Sequence, residues 1–387
     1  MTSSTAPASS PLRLFLGAYT PTSGGHGTGI SVLDRATPDA PWHATQIVAV
    51  DDPSFLALTE GALHAVSEST EGRVVSYTIS AGSLVASSVA ASGGAAPCHV
   101  VIDPASGALV VADYTAGTIG VLSADASDPA RVTRTLALPV GRGPVVDRQD
   151  HAHAHSTVPT PWGTMLVSDL GTDRVFEVRI DPVTLDPSFV ATHPLPAGSG
   201  PRHFAWLGSQ LLVTGELDAR LHVLSYADGR FTVDYSVAAY DPALAPSAVG
   251  FAGATDAGGT GPLPSHVEVF DGRVYVAVRG RDTITVLAPG GSGGSPGSGG
   301  SADGAVGSSS SGASGEHPER PERLAVVAEV PCGGRWPRHF AAAPGALYVA
   351  NQLSDTVAIL PLDPATGIPG APSVLIETGS PTCVVFG

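Results

Sequence analysis

Pro337-Arg338-His339-Phe340-Ala341-Ala342-Ala343-Pro344-Gly345-Ala346-Leu347-Tyr348-Val349-Ala350-Asn351 decides how the whole chain is read. It opens on Pro-X-His, runs into an apolar strand, turns at a glycine and leaves on a β-rich strand that ends in a polar residue. Thr356-Val357-Ala358-Ile359-Leu360 follows as a third strand, and a looser fourth lies near Ser373–Ile376. Three tight hairpins of this kind make a four-stranded antiparallel sheet, the blade of a propeller. The opening motif returns at Pro97-Cys98-His99, Pro201-Arg202-His203 and Pro264-Ser265-His266, and without its proline at His153-Ala154-His155. The same slot reads Pro53-Ser54-Phe55 near the start and Pro381-Thr382-Cys383 at the end. Units beginning near 53, 97, 153, 201, 264 and 337 give six blades, numbered two to seven.

The ends supply blade one. Leu14-Phe15-Leu16-Gly17-Ala18-Tyr19 reads as a second strand, Gly29–Leu33 as a third and Trp42–Val50 as a fourth, with no first strand before them. Pro381–Phe386 is a first strand with nothing after it. Joining the pieces closes the ring and leaves no open blade edge. The expectation is one all-β domain over residues 1–387, a seven-bladed β-propeller of four-stranded antiparallel blades. Residues 289–321 are Gly/Ser-rich and read as a disordered insertion in the sixth blade, between its third and fourth strands.

Composition narrows the function classes. The net charge of -16 argues against nucleic acid, whose phosphates require a basic surface. All 19 basic residues are arginine, which fits GC-rich coding better than a selected role. No apolar run reaches the ~20 residues of a membrane helix. The residues from Met1 to Pro11 lack a basic start and an apolar h-region, and Cys98, Cys332 and Cys383 have no metal-type spacing. A cytoplasmic protein is expected, a monomer or weak homo-oligomer.

First strands line the channel of a propeller and are joined by hairpins to second strands, so two columns of residues are expected to meet at one mouth. The slot column is read as Phe55, His99, His155, His203, His266, His339 and Cys383; the strand-two column as Tyr19, Glu68, Asp113, Asp169, Glu216, Arg279 and Asn351. Repetition favours a structural role for His99, His203, His266 and His339, and backbone bonding for Asp113 and Asp169. The blade-to-blade differences at Arg202, Glu216, Arg279 and Arg338 point instead to a site. His151-Ala152-His153-Ala154-His155 places imidazoles at i, i+2, which can share a metal ion, but no third ligand is fixed by sequence. No metal or cofactor is expected.

Several stretches resemble the seven-bladed propeller lactonases, the 6-phosphogluconolactonase type related to carboxy-cis,cis-muconate lactonizing enzyme. They are Leu16-Gly17-Ala18-Tyr19-Thr20, Arg148-Gln149 with His153-Ala154-His155-Ser156, Asp169-Leu170-Gly171-Thr172-Asp173-Arg174-Val175, Gly200-Pro201-Arg202-His203-Phe204, Val278-Arg279-Gly280-Arg281-Asp282, and Pro337-Arg338-His339-Phe340 with Ala350-Asn351-Gln352. The resemblance implies catalytic roles for His155, Arg202, Glu216 and Arg279. His203, His266, Arg338 and His339 are the accompanying substrate-binding candidates. Two departures stand out: His266 occupies a slot where the family commonly has Glu, and the family's Asn-Glu pair reads Gly215-Glu216. The implied reaction is metal-independent hydrolysis of a small anionic sugar lactone, with His155 as general base. A muconate-type cycloisomerase using the same residues and a non-catalytic propeller binding partners are the alternatives.

Overall fold

The computed structural model describes residues 12–128, 131–244, 261–290 and 323–387. They form seven four-stranded antiparallel sheets, each made of strands consecutive in sequence except one. The exception is blade one, ordered Pro381–Phe386, Arg13–Ala18, Ile30–Asp34, His43–Val48. Leu14 pairs with Phe386 and Leu16 with Val384, so the last strand of the chain is the innermost strand of the first blade.

Alternation of apolar residues on both faces of each blade dictates where the core lies. There is no single centre; apolar clusters fill the spaces between neighbouring blades. Leu14, Leu16 and Leu33 of blade one pack on Tyr348, Ala350 and Val357 of blade seven, while Phe15 and Ile30 pack on Leu63 and Tyr77 of blade two. The closing blade is therefore packed on both sides like its sisters. The sixth blade pairs Thr283–Pro289 with Leu324–Pro331, so the insertion leaves and rejoins the sheet between third and fourth strands. Its own residues from 291 to 322 lie outside the described residues. Within those that are described, no helix is long and apolar enough to cross a membrane.

Candidate active site

Each Pro-X-His slot is a β-bulge. Pro97 faces Asp113 while His99 already faces Ala112, and the same slip occurs between Pro201 and Phe204, Pro264 and Val267, and Pro337 and His339. A bulge sets two residues against one and re-aims their side chains. Proline suits its first position because it has no N–H to leave unpaired. The consequence is two layers at the centre of the ring. The slot rings pack on one another: Phe55 lies 4.3 Å from His99, His99 5.6 Å from His203, His203 5.1 Å from His266, and His266 4.0 Å from His339, centroid to centroid. The X side chains Ser54, Cys98, His155, Arg202, Arg338 and Thr382 line a narrow central cavity. Each comes from a different blade.

Blade four moves His155 out of the expected slot column. There Ala154 faces Asp169 and Ser156 faces Ser168, so Ala154 stands in the proline position and His155 in the X position. His155 is the counterpart of Arg202 and Arg338, not of the ring-forming histidines; Ser156 fills that slot. The strand-two column also mixed two registers. Asp113, Asp169 and Asn351 sit opposite the motif's first residue, whereas Tyr19, Glu68, Glu216 and Arg279 lie one residue further along. One residue of slip turns a strand side chain to the other side. Asp169 accepts from the backbone N–H of His153 at 2.7 Å and of Gly171 at 3.0 Å, and Asn351 donates to the Cys332 carbonyl at 3.2 Å. These are structural bonds between and within blades, as expected for Asp169.

The later register carries the charge. Glu216 is 1 % exposed and meets three guanidiniums: Arg148 at 2.5 Å, Arg202 at 2.8 Å and Arg279 at 2.6 Å. Burial pushes the Glu216 carboxyl up, but the three cations outweigh it and hold the group well below the usual carboxylate range. Burial, then the neighbouring Arg279, pulls Arg202 down to about 9, which leaves it cationic at neutral pH. Arg202 also donates to the Ser265 carbonyl, and Arg279 stacks 5.5 Å from the Trp336 ring. His155, buried and facing Arg202, is held well below the ordinary imidazole value and is neutral. Burial keeps the adjacent Cys98 a thiol.

A second polar group closes the opposite wall. Tyr19 Oη donates to Glu68 at 2.9 Å, and Arg338 donates to Tyr19 Oη at 2.9 Å and to Gln352 at 3.3 Å. Burial raises the Glu68 carboxyl, against the opposing pull of Arg338. His203 and His339 touch the cavity from the ring layer, whereas His266 is tied to His203 through a 2.9 Å Nδ1 contact. The sequence puts Tyr19 and Glu68 in the strand-two column but does not pair them, and it gives Arg148 no role. Arg148 was visible as part of a motif, yet its loop position gave no sign that it reaches Glu216.

The model of the lactonase family, described as a 7-bladed beta-propeller, matches residues 13–297 and 318–386. The chain belongs to the seven-bladed propeller lactonases. Among lactonase relatives, the 6-phosphogluconolactonase of Bacillus subtilis is 26 % identical over 96 % of this chain and 97 % of its own length. That of Formosa agariphila is 25 % identical over 96 % of this chain and 99 % of its own. The periplasmic gluconolactonase of Pseudomonas aeruginosa superposes with a TM-score of 0.75 at 25 % identity, covering 97 % of this lactonase and 98 % of the other chain. A Lactobacillus plantarum protein superposes at 0.78 with 23 % identity, covering 97 % and 99 %, which speaks for the fold.

Proposed function

We propose that this lactonase hydrolyses a small anionic sugar lactone of the 6-phosphogluconolactone kind. The observation that carries the reading is a neutral imidazole, His155, lining one cavity with Arg202 and Arg338 while Glu216, behind Arg202, binds that guanidinium and those of Arg148 and Arg279. Counting side chains gives four arginines against Glu216 and Glu68, in a protein of net charge -16. A local cationic well in an acidic protein favours an anionic substrate and disfavours a metal ion at the same point.

Chemistry follows from the protonation states. His155 accepts a proton from water as it attacks the lactone carbonyl. Arg202 faces the developing oxyanion, and Glu216 with Arg279 holds Arg202 in place. The ring C–O bond then breaks, and the imidazolium returns its proton to the leaving alkoxide, giving the hydroxy acid. Arg148, whose side chain is 38 % exposed while its guanidinium meets Glu216, is the cation open to an arriving phosphate or carboxylate.

The test is hydrolysis of 6-phosphogluconolactone and of unphosphorylated gluconolactone. We expect His155→Ala to lower kcat about 10²–10⁴-fold, the usual worth of a general base. Arg148→Ala is expected to lower kcat/KM for the phosphorylated lactone more than for the plain one. Full lactone hydrolysis by His155→Ala rejects the assignment of the base; equal losses on both substrates reject the phosphate role of Arg148.

A further inference from the structure

The run from His151 to His155 divides in the folded chain. His155 turns into the central cavity, with its ring 5.5 Å from His203. His151 and His153 stay outside with Asp150, on the loop that leads into the innermost strand of blade four. Their ring nitrogens are arranged in a particular order. His151 Nε2 faces the Thr115 carbonyl at 3.0 Å, and His153 Nδ1 faces the Tyr114 carbonyl at 3.1 Å. A carbonyl only accepts, so these nitrogens carry the protons. In the neutral rings, the opposite nitrogens then carry lone pairs.

Those lone pairs point at another acceptor. His151 Nδ1 lies 3.0 Å from one Asp150 carboxylate oxygen, and His153 Nε2 lies 3.0 Å from the other. Two imidazole lone pairs and a carboxylate facing one another repel unless positive charge lies among them. One divalent cation satisfies all three groups together. The ligand atoms lie within 4.8 Å of one another. Metal–ligand bonds of about 2.0–2.2 Å in a tetrahedron place neighbouring ligand atoms about 3.3 Å apart, close to the two nitrogen–oxygen spacings of 3.0 Å. Outer carbonyls that fix the far N–H of each ring are the usual support of a metal-bound histidine.

The loop is also held rigid before any ligand arrives. A Cβ on Gly171 would stand 1.7 Å from the His151 carbonyl oxygen, and one on Gly117 would stand 2.4 Å from that of Ala152, so the glycines of two blades clamp it. Asp169 takes the His153 N–H at 2.7 Å, and the His153 ring stacks on Tyr114 at 4.4 Å. Asp150 is 64 % and His151 46 % exposed in their side chains, which leaves room for water to complete the coordination. Two imidazoles and one carboxylate suit zinc and its borderline neighbours better than calcium or magnesium.

We propose that Asp150, His151 and His153 form a three-ligand site for a zinc-like divalent cation, separate from the central cavity. The test is calorimetric titration of tag-free, chelator-treated full-length protein with zinc chloride at neutral pH, alongside Asp150→Asn, His151→Gln and a His26→Gln control. One equivalent of zinc is expected to bind. The two site variants should lose more than about tenfold in affinity, since even outer partners of metal ligands are worth that much. The control should match the parent protein. Because Asp150 and His151 are largely exposed, their variants are expected to keep the parent melting temperature. Absence of saturable zinc binding by folded parent protein overturns the proposal, as does undiminished binding by both site variants.

Discussion

Phe55 and His99 show how one residue position serves the ring. Phe55 occupies in blade two the slot that histidine fills in four other blades, and its ring packs at a tilt against His99. A site tolerant of phenylalanine asks for an aromatic plane more than for a proton. The histidines pay for this in acid. Burial, reinforced by nearby cationic groups, lowers His99 and His339 to about 3, and pulls His203 and His266 well below their ordinary value. A histidine with a folded-state pKa below its unfolded value near ~6.5 binds more protons when unfolded, so stability falls as pH drops through that interval. Melting temperatures should therefore decline from pH 7 towards pH 4, and His99→Phe should make the decline shallower. An unchanged slope would mean that His99 is not held neutral. The motif's Pro-X-His spelling gave its location but not which member does chemistry. The bulge decides that, by sending the X residue to the cavity and the histidine to the packed layer.

Turns between second and third strands do the joining at the scale of the element. Asp173, Asp282 and Asp355 each adopt the left-handed conformation, with φ of 56°, 57° and 53°. Each carboxylate accepts a backbone N–H from the chain entering the next blade: Asp173 from Gly198 and Gly200, Asp282 from Trp336, and Asp355 from Ser380. The repeated aspartate is thus a latch that fixes where each innermost strand begins, and so where the next X residue points. Aspartate tolerates this backbone better than most residues. Asp355 latches the closing strand, with an acceptor distance of 2.7 Å to Ser380 N. Asp355→Ala should cost about 1–3 kcal/mol, the penalty of an orphaned backbone donor, measured by denaturant unfolding. A loss below about 0.5 kcal/mol would show that the latch is replaced by water. Strand positions were legible because alternation and glycine turns are local. The latches were not, since an aspartate in a turn looks the same whether or not a second blade lies against it.

Closure belongs to the whole molecule. Blade one takes its innermost strand from the far end of the chain, and the apolar clusters on both of its sides include that strand through Cys383 and Val384. Removing residues 381–387 would leave Arg13–Ala18 with an unpaired edge facing the channel and delete one wall of the central cavity, Thr382. The truncated protein should aggregate or melt well below the parent; equal melting temperatures would mean that the ring is held shut by packing of the other strands alone. The sequence by itself determined the blade count, the split first blade and the family, because hydrophobic alternation and turn residues act over a few positions and repeat. It also singled out His155, Arg202, Glu216 and Arg279. Only the tertiary structure decided the register at their mouth: that His155 is an X residue, that the strand-two column holds two faces, and that Arg148 reaches across to Glu216. A single bulge residue reverses the direction of a side chain without disturbing the apolar pattern on either side. A loop arginine finds its carboxylate, 68 residues on in sequence, only when the blades are brought together around one axis.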